Sequence, residues 1–161
     1  MEQIFQMVID AAAALAKTRH AGQVDKAGVD YFSGHLSTVA GLGETWRETV
    51  LGYLHDVAED TGLAEEDSIA VLRSQTPPGG ITDAEWDELT ENLRLLNSRT
   101  APDREAYIRR YRGHPLAIRV KLHDLRNNMD LTRLPGIDEK ALNRHARYEK
   151  EAALLRSWLT D

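Results

Sequence analysis

The 161-residue sequence contains no cysteine. Disulfides and thiolate metal sites are therefore excluded, and His, Asp and Glu side chains remain as the candidate metal ligands. The sequence also lacks a run of the roughly 20 apolar residues that a membrane helix needs. Its amino terminus has no basic region followed by an apolar segment and a cleavage site. These absences predict a cytoplasmic protein that has no membrane partner.

Strand-like alternation of apolar and polar residues is lacking too, as are internal repeats. Apolar residues instead recur at helical spacing, and their 42% share is typical of a globular protein. We predict an all-α bundle of roughly seven or eight helices. The length suits one compact domain, so residues 1–161 are interpreted as a single domain in which Pro77-Pro78-Gly79-Gly80 forms an internal loop.

Glycine, proline and capping residues set the predicted ends of the helices. The central helix is expected to run from about Thr45 to Glu59 and to be stopped by Gly62. Asp138 is expected to cap the last helix, whose predicted inner side includes Leu142, Ala153, Leu154 and Trp158. The other predicted helices span about Glu2 to Arg19, Ser33 to Leu42, Glu65 to Gln75, Asp103 to Tyr111 and Pro115 to Leu134, with one more after the capping box at Thr82.

The formal net charge of −6 is unevenly distributed along the chain. Residues 1–103 carry 7 basic and 18 acidic side chains, whereas residues 104–150 carry 12 basic and 6 acidic ones. A basic segment in an acidic protein indicates a local anionic ligand rather than an extended nucleic acid, which usually requires a basic domain. A solvated helical surface is the alternative interpretation of these charges.

Four ionisable side chains crowd the end of the central helix: His55, Asp56, Glu59 and Asp60. On a continuous helix Glu59 would lie over His55, and Asp60 over Asp56, because residues four apart share a face. The apolar residues before them indicate a packed helix, and burying unpaired carboxylates costs on the order of several kcal/mol. A bound cation would remove that cost. The alternative is an acidic, solvated helix end.

Two residues in other predicted helices, His35 and Asp124, would complete a set of two imidazoles and two carboxylates with His55 and Asp56. Nitrogen and oxygen ligands without sulfur suit Mn, Fe, Zn or Mg in an open site with room for water. Asp124 also shares a predicted helix face with Lys121 and Asn128, which are spaced three and four residues from it. Because the chain has six histidines, spacing alone leaves other ligand sets open.

Three blocks of residues carry a resemblance to a known family. They read His20-x-Gly22-Gln23-x-x-Lys26-x-Gly28-x-x-Tyr31-x-x-x-His35, then Leu54-His55-Asp56-Val57-x-Glu59-Asp60-Thr61, then Lys121-Leu122-x-Asp124-x-x-x-Asn128-Met129. In order, spacing and helical setting, the chain from about residue 10 to 130 resembles the HD-domain hydrolases of the RelA/SpoT type. Those enzymes remove the 3′-pyrophosphate from the alarmone ppGpp in a Mn-dependent reaction.

The resemblance implies a role for each matching residue. It makes Mn²⁺ the expected metal, with ligands His35, His55, Asp56 and Asp124. It gives Glu59 and Asp60 the task of orienting and deprotonating the attacking water. It places Asn128 on the sugar or phosphate of a nucleotide substrate and puts Lys26 and Tyr31 at the border of the nucleotide pocket. Further expected contacts are Arg144, Arg147 and Tyr148.

The chain departs from the family's pattern near the expected nucleotide pocket. Asp25 stands where alarmone hydrolases typically carry an Arg packed on guanine, and a carboxylate there should weaken ppGpp binding. Leu36 replaces the usual Pro, and the residues around Asp124 also differ, namely His123, Arg126 and Asn127. The leading expectation remains a stand-alone (p)ppGpp 3′-pyrophosphohydrolase. The alternatives are an HD-type hydrolase of another nucleotide, either a nucleoside monophosphate or a non-guanine pyrophosphorylated nucleotide, and a non-catalytic nucleotide-binding helical module.

Overall fold

The computed structural model describes residues 2–159, and it confirms the predicted all-α class. Residues 2–159 contain no β-strand. An isolated antiparallel bridge joins Val24 and Asp30. The helices are α1 (Glu2–Arg19), α2 (Ser37–Gly41), α3 (Trp46–Leu54), α4 (Val57–Thr61), α5 (Glu65–Ser74), α6 (Asp83–Leu95), α7 (Arg104–Arg109), α8 (Pro115–Asn128) and α9 (Glu139–Leu159). A π-helical turn, Phe32–Leu36, leads into α2, and 3₁₀ turns occupy Ser98–Thr100 and Leu131–Arg133. Across residues 2–159, no helix is both long and apolar enough to span a membrane.

Helix α3 lies at the centre of the bundle and packs against α1, α2, α6 and α8. Its apolar residues Val50, Leu51 and Leu54 are fully buried in the hydrophobic core, as their helical spacing predicted. Burying side chains of this size contributes about 1.5–3 kcal/mol each to the hydrophobic stabilisation. The centre of the core thus fixes the carboxyl end of α3, where the ionisable cluster begins.

Close contact between α2 and α3 depends on a glycine. A Cβ atom built on Gly52 would lie 2.7 Å from the Cα atom of Ala40, which is closer than real carbon contacts allow. The neighbouring atoms are backbone and cannot move aside independently of the helix. Gly52 therefore lets the two helices approach each other directly beside the ionisable cluster.

We expect Gly52→Ala to lower the free energy of unfolding by about 1–3 kcal/mol, because the added methyl group forces α2 and α3 apart. Gly41→Ala is the matched control, since a Cβ atom there meets nothing within 4 Å. In a helix this control should be neutral or stabilising by up to about 1 kcal/mol. Urea unfolding measured by circular dichroism tests both variants. Equal stability of the two variants would contradict the close approach of the helices.

The predicted continuous helix from Thr45 to Glu59 is wrong, because the chain turns between α3 and α4. Helix α3 ends at Leu54, and Asp56 has φ −105° and ψ 1°, outside the helical region. The His55 ring is placed to donate from Nδ1 to the Gly52 carbonyl oxygen, which an amide would occupy in a continuous helix. Glu59 therefore does not follow His55 on one continuous helix, whereas Asp60 still lies one helical turn after Asp56, since its amide donates to the Asp56 carbonyl oxygen at 2.9 Å. Gly62, at φ +79°, ends α4 as predicted.

The second predicted helix, from Ser33 to Leu42, begins one residue earlier and as a π-helical turn. The Leu36 amide donates to the Tyr31 carbonyl oxygen at 3.0 Å, five residues back rather than four. Such turns occur frequently at functional sites because they shift one side chain relative to a regular helix. Here the turn contains His35, which is buried.

The predicted inner face of the last helix is largely wrong. Leu142, Ala153 and Leu154 are exposed, whereas Trp158 is partly buried against the core. The buried positions of α9 are Ala141, Glu151, Ala152 and Leu155. The buried face of α9 contains a glutamate and two small alanines, so it is only weakly apolar in sequence. The exposed leucines are more hydrophobic than most of the buried residues, and the pattern therefore predicted the wrong face. The preceding helix, predicted to reach Leu134, ends at Asn128.

Candidate metal centre

Ligand atoms from four side chains meet at one point between the π-helical turn, the α3–α4 junction and α8. The His35 Nε2 atom lies 3.2 Å from His55 Nε2 and 3.0 Å from Asp124 Oδ1. His55 Nε2 is 3.1 Å from Asp56 Oδ2 and 3.3 Å from Asp124 Oδ1. The separation between His35 Nε2 and Asp56 Oδ2 is 3.6 Å. The structure therefore brings together the four side chains that the sequence singled out as metal ligands.

The spacing of these atoms fits a divalent metal ion. Ligands about 2.1 Å from a metal and at right angles to each other lie about 3.0 Å apart. His35, His55 and Asp56 form a group that could hold a metal ion. Asp124 lies outside that group of three, but its Oδ1 is 3.0 and 3.3 Å from the two imidazole nitrogens and could supply a second carboxylate oxygen. The donor set contains nitrogen and oxygen only, which suits the harder divalent cations.

Partners behind the two imidazoles fix which ring nitrogen faces the cluster. His35 Nδ1 lies 2.7 Å from Asn127 Oδ1, and His55 Nδ1 lies 2.7 Å from the Gly52 carbonyl oxygen. Both partners accept hydrogen bonds, so each Nδ1 carries a hydrogen and each Nε2 faces the cluster. Burial lowers the pKa of His55, but the Asp56 and Asp124 carboxylates outweigh this effect and raise it well above its usual value, so a proton on His55 balances the carboxylates when no metal is bound. A divalent cation could take the place of that proton, because metal binding requires the imidazole nitrogen to lose it.

Asp124 is oriented from two sides by its own helix. Lys121 Nζ donates to Asp124 Oδ2 at 2.7 Å, and Asn128 Nδ2 donates to Asp124 Oδ1 at 3.2 Å. The predicted shared face of these three residues is therefore confirmed. Burial alone would raise the pKa of the Asp124 carboxyl, but the Lys121 ammonium and both imidazoles lower it well below its usual value. Asp124 thus remains a carboxylate, as a metal ligand must.

Asp56 receives a hydrogen bond from the Tyr31 hydroxyl at 2.5 Å. Burial raises the pKa of Asp56, but His55 outweighs this effect and lowers it to about 2. The same burial and the Asp56 charge raise the pKa of the Tyr31 hydroxyl, which therefore stays protonated and donates. Tyr31, expected only at the border of a nucleotide pocket, also positions a ligand of the cluster.

We expect Asn127→Leu to weaken divalent metal binding by about 10- to 100-fold, because the His35 ring loses the acceptor that fixes its tautomer. Asn127→Asp keeps an acceptor on Nδ1 and should retain most of the affinity. Competition with a fluorescent chelator measures both dissociation constants, and thermal melts check folding. Equal affinities of the wild-type and Asn127→Leu proteins would contradict this role of Asn127.

The two acidic residues expected to handle water occupy different positions. Glu59 lines a polar cavity of about 180 Å³ next to the cluster, together with His55, Asp56 and Asp124. Its Oε1 accepts hydrogen bonds from the Ser98 amide at 2.9 Å and from the Ser98 hydroxyl. This leaves Glu59 well placed beside any water in the cavity.

Asp60 is not among the residues that line this cavity. Its Oδ2 accepts from Gln23 Nε2 at 3.0 Å, and Gln23 Oε1 lies 2.7 Å from His20 Nδ1. Partial burial and the Asp56 carboxylate raise the pKa of Asp60. The structure thus separates the two acids: Glu59 faces the cluster, whereas Asp60 is tied to the loop after α1.

A second cavity, of about 300 Å³, adjoins the first. Tyr31, Asn128 and Tyr148 line both cavities. The larger one also contains Lys26 and Arg144 among its lining residues. All five residues had been expected at a nucleotide pocket from the sequence. Arg147, also expected there, lines neither cavity and instead lies over the Tyr148 ring at 5.3 Å.

Asp25 lines the larger cavity, but its oxygens have partners within the protein. Oδ1 accepts from the Ala27 and Val29 amides at 2.8 and 3.0 Å. Oδ2 pairs with Arg133 Nη2 at 3.1 Å. The Asp25 carboxylate therefore stabilises the loop between α1 and the π-helical turn, and its ion pair links this loop to the 3₁₀ turn after α8. The expectation of a free carboxylate facing the ligand is replaced by an ion pair.

Several residues that support the site were not predicted from the sequence, namely Gly52, Ser98, Asn127 and Arg133. Asn127 lies three residues after Asp124 on α8, and this spacing is the signal that could have identified it. Ser98 and Arg133 lie in 3₁₀ turns, where no periodic pattern marks them. No protein-family model and no curated protein matches this sequence.

Proposed function

We propose that this chain is a metal-dependent phosphohydrolase of the HD type that acts on a nucleotide. The observation that carries the proposal is the convergence of two imidazoles and two carboxylates beside a polar cavity that Glu59 also lines. If these four side chains only stabilised the fold, they would not need a cavity beside them. The three sequence blocks that resemble RelA/SpoT-type hydrolases supply the same residues.

The four ligand side chains would hold the ion, and we propose Mn²⁺, with Fe, Zn or Mg as other ions of suitable chemistry. Such an ion polarises a phosphoryl oxygen and makes a water molecule more acidic. Glu59 accepts the proton that the water loses, and Ser98 holds the Glu59 carboxylate in place. Asn128 lies between the two cavities and can orient a phosphate or a sugar hydroxyl.

The larger cavity supports a nucleotide as the substrate. Lys26 and Arg144 supply positive charge for phosphates, and the Tyr31 and Tyr148 rings offer surfaces for a base or sugar. Its connection to the smaller cavity would let one molecule reach both the cationic residues and the metal ligands. We propose ppGpp-like alarmones as the leading substrates, which makes the chain a (p)ppGpp 3′-pyrophosphohydrolase.

The pairing of Asp25 with Arg133 favours one alternative, a nucleotide without guanine. Alarmone hydrolases typically carry an Arg at the position of Asp25, whereas here Asp25 pairs with the Arg133 guanidinium, which also donates to the Asn127 carbonyl oxygen. A cation restrained in this way is less free to stack on a base. A non-catalytic nucleotide-binding module is the third hypothesis, and it gives Glu59 no role.

Mass spectrometry of reactions containing Mn²⁺ distinguishes these possibilities. The substrates are ppGpp, pppGpp, nucleoside monophosphates and pyrophosphorylated nucleotides with other bases. We expect release of pyrophosphate from ppGpp. Turnover of monophosphates alone, or of non-guanine substrates alone, would move the assignment to the alternative nucleotide. Bound nucleotide without turnover would favour the non-catalytic module.

A further inference from the structure

Two cationic side chains, Arg104 and Lys121, line the smaller cavity together with residues of the ionisable cluster. Lys121 is buried, and its Nζ lies 5.3 Å from the centre of the Tyr107 ring. The Arg104 guanidinium lies 5.1 Å from the same ring centre. Arg110 also lies 5.4 Å from this ring centre, but it does not line the cavity. Arg104 lies outside the three motif blocks, so no role was predicted for it.

Arg104 is held in place by a buried carboxylate on α9. Its Nε and Nη2 atoms each donate to Glu151 at 2.8 Å in a bidentate pair. Its remaining nitrogen, Nη1, has no hydrogen-bond partner within residues 2–159. A guanidinium fixed on one edge keeps its other edge for a ligand and loses little entropy on binding.

Lys121 also keeps donors for a ligand. One of its three N–H groups is used by Asp124, so two remain. Two cations near one aromatic ring repel each other, and an anion between them would relieve that repulsion. Ser98 and Asn128 line the same space and add neutral hydrogen-bonding groups. The cavity is thus lined by the carboxylates of the cluster and by two cations that each keep N–H groups free for a ligand.

We infer that Arg104 and Lys121 bind the distal phosphate of a diphosphate group whose proximal phosphorus is attacked at the metal cluster. This inference rests on the proposed phosphohydrolase function and adds a residue that selects the transferred group. A substrate with a single phosphate at the reacting position would leave the Arg104 contact unused.

The reaction explains why the distal phosphate needs a site of its own. The water oxygen forms a bond to the proximal phosphorus, and the bond from that phosphorus to the sugar oxygen breaks. Glu59 takes a proton from water and returns it to the departing sugar oxygen, which leaves as a hydroxyl. The distal phosphate stays attached to the proximal one and departs with it as pyrophosphate. Its charge of about −2 requires cationic contacts throughout.

Calorimetric titration of the Mn²⁺-loaded protein with inorganic pyrophosphate, and separately with phosphate, tests this site. We expect wild-type protein to bind pyrophosphate more tightly than phosphate. Arg104→Gln should weaken pyrophosphate binding by about tenfold or more and phosphate binding by less than about threefold. Metal content measured on the recovered protein separates binding from chelation of the ion by pyrophosphate.

Two further variants control for charge and folding. Arg109→Gln removes a cation from the same helix, where its partner is the exposed Glu105 at 3.2 Å, and should change neither affinity. The double variant Arg104→Gln/Glu151→Gln avoids leaving a buried carboxylate unpaired, and it should lose pyrophosphate binding like the single variant. Thermal melts establish that each protein is folded.

Equal affinities for pyrophosphate and phosphate in the wild-type protein would overturn the inference. So would unchanged pyrophosphate binding in the folded double variant, even if nucleotides are hydrolysed, and the proposed function would then stand without this site. Arg104-dependent pyrophosphate binding without turnover of any nucleotide would support the anion site and count against the proposed hydrolysis. Failure of the wild-type protein to bind Mn²⁺ would overturn both.

Discussion

Replacing His55 with alanine is expected to reduce bound divalent metal from about one ion per chain to less than about a tenth. His55 Nε2 lies within 3.1–3.3 Å of the three other candidate ligand atoms, so its removal takes away the donor that is close to all of them and leaves one imidazole and two carboxylates. Inductively coupled plasma mass spectrometry after dialysis against excess Mn²⁺ gives the stoichiometry. Hydrolysis of any nucleotide substrate should be lost with the metal.

His123→Ala is the matched control for the loss of metal. His123 lies next to Asp124 on α8, but its Nε2 is 4.0 Å from Glu48 Oε1 and takes no part in the cluster. This variant should bind metal as the wild-type protein does. Full metal content in His55→Ala, or equal loss in both variants, would contradict the assignment of the ligands. Circular dichroism shows whether either variant is misfolded.

Replacing Glu59 with glutamine is expected to lower kcat by about 10²- to 10⁴-fold while metal binding stays unchanged. The glutamine side chain can still accept hydrogen bonds from Ser98 but cannot take a proton from water. Steady-state kinetics with the best substrate of the nucleotide panel, together with the metal stoichiometry, measures the effect. A fall in kcat with unchanged metal content would show that Glu59 acts in proton transfer and not in metal binding.

Asp60→Asn provides the comparison, because Asp60 faces Gln23 rather than the cavity. An asparagine keeps an oxygen that can accept from Gln23, so we expect kcat to fall by less than about tenfold. Equal losses in the two variants would show that both acids act on the water, as the family resemblance implies. Retention of full activity in Glu59→Gln would rule out Glu59 as the proton acceptor.

The sequence contained most of the information about the metal ligands. His55-Asp56 follows an apolar helical stripe, and α8 carries Lys121, Asp124 and Asn128 at spacings of three and four. Regular helical geometry links residues at such spacings, so the polar face of α8 could be predicted from pattern alone. The meeting of His35 with the other ligands could not, because it depends on how three separate elements pack.

Irregular backbone accounts for much of what the sequence did not reveal. The turn at His55 and Asp56 and the π-helical turn at His35 each depart from the regular helix that the spacing predicted. At His55 the ring bonds the Gly52 carbonyl oxygen that a continuous helix would use, and local propensities do not record that competition. Glu59 and Asp60 both lie in α4, where consecutive residues point about 100° apart, so only Glu59 lines the smaller cavity.

The supporting side chains were missed for a different reason. Asn127 and Ser98 contact partners 92 and 39 residues away in the sequence, so the spacing of Asn127 from Asp124 places it near the site without revealing its partner, and no local pattern marks Ser98. Arg104 has a partner 47 residues away in Glu151, whose burial also disguised the inner face of α9. Long-range polar pairs of this kind become visible only when the helices are placed together.

The location of the metal ion is tested most directly by X-ray diffraction from crystals soaked in Mn²⁺, with data collected at the manganese absorption edge. We predict one strong anomalous peak within about 2.0–2.4 Å of His35 Nε2, His55 Nε2 and an oxygen of each of Asp56 and Asp124. A peak bound by other side chains, or no peak at these four atoms in saturating Mn²⁺, would contradict the metal centre and the hydrolytic function built on it.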